Sequence, residues 1–119
     1  MCRLSLSVEV DCRMAYRSKL KVTVFKKVNG KEIFGERFPT PPKYVLVCDR
    51  LEEGKEFIVD DSGAMPQGFC PWAWDSIARE VTHLQFNGDF PWYEEKGIAI
   101  ACCTDGLRPV IFKIERINK

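Results

Sequence analysis

The stretch Gly68-Phe69-Cys70-Pro71-Trp72-Ala73-Trp74-Asp75-Ser76-Ile77-Ala78-Arg79-Glu80-Val81-Thr82-His83-Leu84 carries the one sustained helical pattern in the chain. Trp74, Ile77, Ala78, Val81 and Leu84 recur at helical spacing, while Asp75, Arg79, Glu80 and His83 fall on the other side. Pro71 suits a first helical position, where its missing N–H would be unpaired anyway, and it pushes Cys70 off helical geometry. Cys70 is therefore expected as the N-cap. A thiol there lies at the positive end of the helix dipole, an arrangement that favours thiolate over thiol. The helix is expected to stop at Asn87-Gly88, which offers a left-handed residue.

Around this helix the apolar periodicity is that of strands. Residues 2 to 12 alternate, with Cys2, Leu4, Leu6, Val8, Val10 and Cys12 on one face. They form either an extra strand or an N-terminal extension, since Met14 offers an internal alternative start; residues 1–17 are accordingly set apart from a single domain over 18–119. Leu20, Val22 and Val24 alternate again, and Asn29-Gly30 suggests a hairpin over 19–38 with Glu32 to Phe38 as the return strand. Pro39-Thr40-Pro41-Pro42 interrupts the chain before a run from Tyr44 to Cys48, and Phe57-Ile58-Val59 reads as a further short strand. After the aromatic loop Phe90-Pro91-Trp92-Tyr93, strands at 98–103 and 108–117 meet around Asp105-Gly106. The expectation is an α+β domain: a mainly antiparallel sheet of five or six strands with one amphipathic helix packed on a face.

Composition narrows the function classes. The 119 residues can bury a core without metal or disulfide staples. With 18 basic and 17 acidic residues interspersed, the chain lacks the basic stripe that neutralises phosphates, and nucleic acid is not an expected partner. No apolar run approaches the roughly 20 residues of a membrane helix, and the N-terminus lacks signal-peptide character. A cytoplasmic, reducing setting follows, and the 6 cysteines are expected as thiols or ligands rather than bridges.

Cysteine placement supplies the candidate site. A four-residue loop, Thr104 to Leu107, keeps Pro109 off a hydrogen-bonded pair and sets Cys103 opposite Arg108, with Cβ atoms roughly 5 Å apart. Arg108 would then support a Cys103 thiolate. Cys102 and Cys103 point to opposite faces, so only one can join Cys70. Cys102 follows Ile98 and Ile100 on one strand face and reads as a core residue; core packing is also the simpler reading of Cys2, Cys12 and Cys48. A zinc or iron site would combine Cys48, Cys70 and one of Cys102 or Cys103, with Cys103 the preferred member and Asp105 or water completing it, although no C-x-x-C pair supports this. His83 is excluded, because 13 helical residues carry it about 20 Å from Cys70.

From about Ser18 to the end, the chain resembles a family of small uncharacterised bacterial and archaeal proteins. The resemblance rests on Gly68-Phe69-Cys70-Pro71-Trp72-Ala73-Trp74, on Gly88-Asp89-Phe90-Pro91-Trp92 and on Ala101-Cys102-Cys103-Thr104-Asp105-Gly106-Leu107-Arg108-Pro109-Val110, with Cys48 and Gly54-Lys55-Glu56-Phe57 in support. Lys55 departs from the family pattern. The resemblance implies no activity, cofactor or catalytic residue.

Three functions compete on these residues. The first is a metal- or small-ligand-binding protein whose site joins Cys70, Trp72, Cys103, Asp105 and Arg108. The second is a thiol-dependent enzyme or redox protein with Cys70 as nucleophile. The third is an accessory domain that meets a protein partner through Trp72, Trp92 and Tyr93.

Overall fold

The computed structural model describes residues 17–37 and 47–117. Strand β1 (Leu20–Lys27) is followed by a short helix α1 (Gly30–Phe34) and a 3-10 turn (Gly35–Arg37). Then come β2 (Glu56–Val59), α2 (Pro71–Ser76), α3 (Ala78–Gln85), β3 (Ile98–Cys102) and β4 (Val110–Arg116). Among the described residues the sheet has four antiparallel strands in the order β2-β1-β4-β3. The α+β class is as expected. The alternating run at 2–12 and residues 38–46 lie outside the described residues, and Val47 and Cys48 are not in a strand.

The alternation of β1 sets the core. Leu20, Val22 and Val24 are fully buried, and register places Val22 between Phe57 and Ile114, with Ala99 opposite Ile114 in the next strand. One row of side chains thus crosses all four strands. A second row joins Val24, Phe112 and Ala101. The small residues of β3 lie on this inward face. That arrangement corrects the reading of Cys102: Ile100 and Cys102 are on the outward face and exposed, while Ala99 and Ala101 take the core positions. Alternation in a strand identifies two faces, and register against neighbouring strands decides which is buried.

Asn29-Gly30 does not turn a hairpin. Asn29 caps α1, its side-chain oxygen accepting from the Lys31 N–H at 2.8 Å, so the described part of the segment expected as a return strand, residues 32–37, is helical. Both sides of β1 are already occupied by β2 and β4, which leaves no edge for a strand arriving directly after Lys27. Tertiary pairing has overridden the local hairpin signal.

The expected single helix is two. They meet at Ile77, whose backbone (φ −103°, ψ 9°) departs from helical geometry although its side chain is fully buried. The break leaves Ala78 exposed, whereas Ile77, Val81 and Leu84 enter the core. Ahead of them Phe69 packs edge-on against Phe57 (4.9 Å between centroids) and Trp74 (5.8 Å), and lies against Phe112. Asn87 has φ +70°, the left-handed residue expected past the helix end. Arg116 from β4 completes that end: its Nη1 donates to the Leu84 and Gly88 carbonyls and its Nη2 pairs with Asp89 at 2.8 Å. Gln85, the one buried polar side chain among the described residues, donates to the Ser18 and Asp60 carbonyls. Among the described residues no helix is long and apolar enough to cross a membrane.

Candidate functional site

Cys70 is the N-cap of α2, with extended backbone (φ −81°, ψ 120°) and Pro71 in the first turn. The Cys70 carbonyl accepts from the Trp74 N–H at 2.9 Å, but its side chain makes no capping hydrogen bond. The thiol is therefore not spent on the helix end. With Ile77 breaking the helix, α2 has only 6 residues, much less aligned dipole than the single long helix expected from the periodicity.

The turn between β3 and β4 is wound around one carboxylate. Asp105 Oδ1 accepts from the N–H groups of Leu107 and Arg108 at 3.0 and 3.3 Å, and Oδ2 accepts from Arg108 Nε at 3.2 Å and Nη2 at 3.1 Å. This corrects the expected register. Cys102 pairs with Ile111, and the Cys103 N–H donates to the Val110 carbonyl at 3.0 Å, so Cys103 faces Val110 rather than Arg108. The longer loop places Pro109 outside the ladder, where its missing N–H costs nothing and its carbonyl accepts from Val28. Arg108 is consequently the partner of Asp105, not of a Cys103 thiolate. The Cys103 sulfur instead accepts from the Val110 N–H at 3.3 Å.

Two residues that the periodicity did not single out join the segments. Trp72 Nε1 donates to Thr104 Oγ1 at 3.2 Å, the Thr104 N–H donates to Ser76 Oγ at 3.2 Å, and the two hydroxyls lie 3.2 Å apart. Ser76 also bonds back to the Trp72 carbonyl at 3.1 Å. The residues just after Cys70 are thereby tied to the residue just after Cys103. Ser76 offered no sequence signal, because its hydroxyl gains meaning only from a loop 28 residues away.

Between these segments is a cleft of about 200 Å³. Cys70, Trp72, Cys103, Asp105 and Arg108 all line it, as does Cys48. Its apolar floor is Leu51, Ala73 and Val110, and Asp49 and Arg50 add a second pair of opposite charges at its side. The segment leading away from Cys48 is anchored to β1, where Lys27 Nζ donates to the Leu51 carbonyl and the Lys27 N–H to Glu53. Cys48, Cys70 and Cys103 are each half-buried.

Other candidates fall elsewhere. Tyr93 uses its hydroxyl to accept from the Ile100 N–H on the outer strand, and Trp92, 71% exposed, stacks near Phe90. Neither lines the cleft. His83 is exposed and bonds to the Asp89 carbonyl. Cys102 is also outside the cleft; partial desolvation, with the adjacent Cys103 as a lesser cause, pushes its thiol above the ordinary range.

The arrangement bears directly on the expected metal set. Among the described residues no group of three or more His, Cys, Asp or Glu side chains is placed to hold a metal ion. Cys48, Cys70 and Cys103 share a cleft without forming such a group, and both oxygens of Asp105 are already engaged by N–H donors. A preassembled zinc or iron cage from these residues is thus not what the fold provides. Comparison with protein-family models, curated proteins and solved structures gave no match.

Proposed function

We propose that the protein binds a small organic ligand in the cleft between α2 and the β3–β4 turn. The observation that carries this reading is the convergence of Cys48, Cys70 and Cys103, from three separate parts of the chain, on one concave surface beside Trp72. The Trp72 ring supplies a flat apolar wall, Leu51, Ala73 and Val110 a floor, and the thiols soft polar contacts. The charges on the rim balance: Arg108 is neutralised by Asp105, and Asp49 accompanies Arg50. A neutral or zwitterionic ligand is favoured over an anion or a bare cation. At about 200 Å³ the cleft suits a molecule of modest size, below the usual 300–1,000 Å³ of drug-sized sites.

The test is a screen of small neutral and zwitterionic compounds against reduced protein, read by NMR at the Trp72 indole. A compound that shifts Trp72 is expected to slow iodoacetamide alkylation of Cys70 and to leave Cys102 unaffected. Equal protection of Cys102, or binding confined to Trp92 and Tyr93, would refute the cleft and favour the interaction-domain reading.

A further inference from the structure

We infer that Cys70 and Cys103 form a dithiol pair that exchanges with a low-molecular-weight disulfide in the cleft, closing to an intramolecular Cys70–Cys103 bridge. The inference rests on the reading that the cleft admits a small molecule, and it names the class of molecule and the chemistry.

The pairing follows from how the two segments are held. A disulfide requires Cα atoms within about 7 Å, which only segments in close and stable apposition satisfy. The Trp72–Thr104 and Ser76–Thr104 hydrogen bonds tie the two segments together two residues beyond one cysteine and one beyond the other, and both cysteines line the same cleft. Cys48 lines the same cleft, but its segment is anchored through residues 51 and 53 to β1. Cys102 is outside the cleft, on the outward face of its strand.

The roles differ because the sulfurs are held differently. Cys70 has no side-chain cap bond, leaving its sulfur free to attack. The Cys103 sulfur is oriented by the Val110 N–H, which suits a resolving thiol kept in place. In the first step the Cys70 thiolate attacks one sulfur of the small disulfide. The S–S bond of the small molecule breaks, one half leaves as a thiolate and takes up the proton Cys70 released, and a mixed disulfide remains on Cys70. The Cys103 thiolate then attacks Cys70 Sγ, expelling the second half as a thiolate, which takes up the proton of Cys103. Two protein thiols are oxidised to one disulfide and one small disulfide is reduced to two thiols.

The balanced rim charges select hydroxyethyl disulfide, which is uncharged, as the probe. The fully reduced chain, freed of reductant, is exposed to it, quenched by acid and alkylation, and mapped by peptide mass spectrometry. The expected product has two fewer free thiols, a peptide pair joined through Cys70 and Cys103, and no retained adduct. Cys103→Ser is expected to stop at a hydroxyethylthio adduct on Cys70, and Cys70→Ser to form no bridge. A stable adduct on Cys70 in the unaltered chain, or a bridge to Cys48 or Cys102 in its place, would overturn the assignment without requiring any variant to fold. If compounds shift Trp72 in the reduced protein but no bridge forms, the exchange fails and ligand binding stands. If the bridge forms while no compound perturbs Trp72, the binding proposal fails and the dithiol pair stands.

Discussion

Replacing Ile77 by alanine probes the junction on which the site depends, because this fully buried side chain pins the break between α2 and α3 to the core. The substitution removes three carbons, and at about 0.8 kcal/mol for each buried methylene the transfer loss alone is about 2.4 kcal/mol. A residual cavity adds about 24 cal/mol per Å³, so incomplete collapse of roughly 50 Å³ contributes about 1.2 kcal/mol more. The expected cost is about 3 to 4 kcal/mol. Ile77→Val removes one carbon and should cost about 1 kcal/mol. A domain of this length has a stability on the order of 6 to 18 kcal/mol, so both variants should remain folded. Urea unfolding followed by circular dichroism and tryptophan fluorescence is the assay. With a slope of about 2 kcal/mol/M, the alanine variant's midpoint should fall by roughly 1.5 to 2 M with the slope unchanged. A loss below about 1 kcal/mol for alanine, or equal losses for alanine and valine, would refute the placement of Ile77 in a packed core.

Three further outcomes follow from polar contacts. Gln85→Leu removes both amide donations to the Ser18 and Asp60 carbonyls and should destabilise by about 2 kcal/mol in the same assay, at about 1 kcal/mol per bond; a neutral or stabilising effect would contradict the bracing role. Asp89 is held below its ordinary value, first by the hydrogen bond from Arg116 and then by the Gly97 N–H. Its contribution is therefore present above the unfolded carboxylate value of about 3.9 and is lost as pH falls through the lower folded value. Asp89→Asn should flatten the fall in stability measured below about pH 4, and an unchanged acid limb would show that the pair does not matter. Asp105→Asn retains an acceptor for the turn amides but discharges the pair with Arg108. For this partly exposed pair the thermal-unfolding cost should be about 0.5 to 1 kcal/mol, and a loss above about 3 kcal/mol would imply a far more buried interaction.

The residues most readable in advance were those governed by their immediate neighbours. Pro71 made Cys70 an N-cap, Asn87 supplied the left-handed stop, and the alternation of Leu20, Val22 and Val24 marked a buried strand face. Cys70, Trp72, Cys103, Asp105 and Arg108, singled out from the sequence, line one cleft. Their roles within it were less legible. Centring the hairpin on Asp105-Gly106 sets Cys103 opposite Arg108 for either a two- or a four-residue loop; Asp105 instead gathers the turn through two main-chain donors and the guanidinium, and Cys103 faces Val110. Asn29-Gly30 carries a strong hairpin signal, yet it caps a helix because β1 has no free edge beside it.

Short-range stereochemistry was enough to place β1 to β4, the α2 cap and the left-handed exit from α3, because each depends on dihedral restrictions or on side-chain alternation within a few residues, but it also announced a return strand after Asn29-Gly30 that is helical. Long-range packing was needed for the inward face of β3, the helix break at Ile77 and the partners of each cleft thiol. Those outcomes depend on which strand lies alongside and which hydroxyl reaches across from another loop. The six residues between Cys103 and Val110 illustrate the division: their composition announces a turn, but a carboxylate's competing hydrogen bonds decide which residues face each other across it.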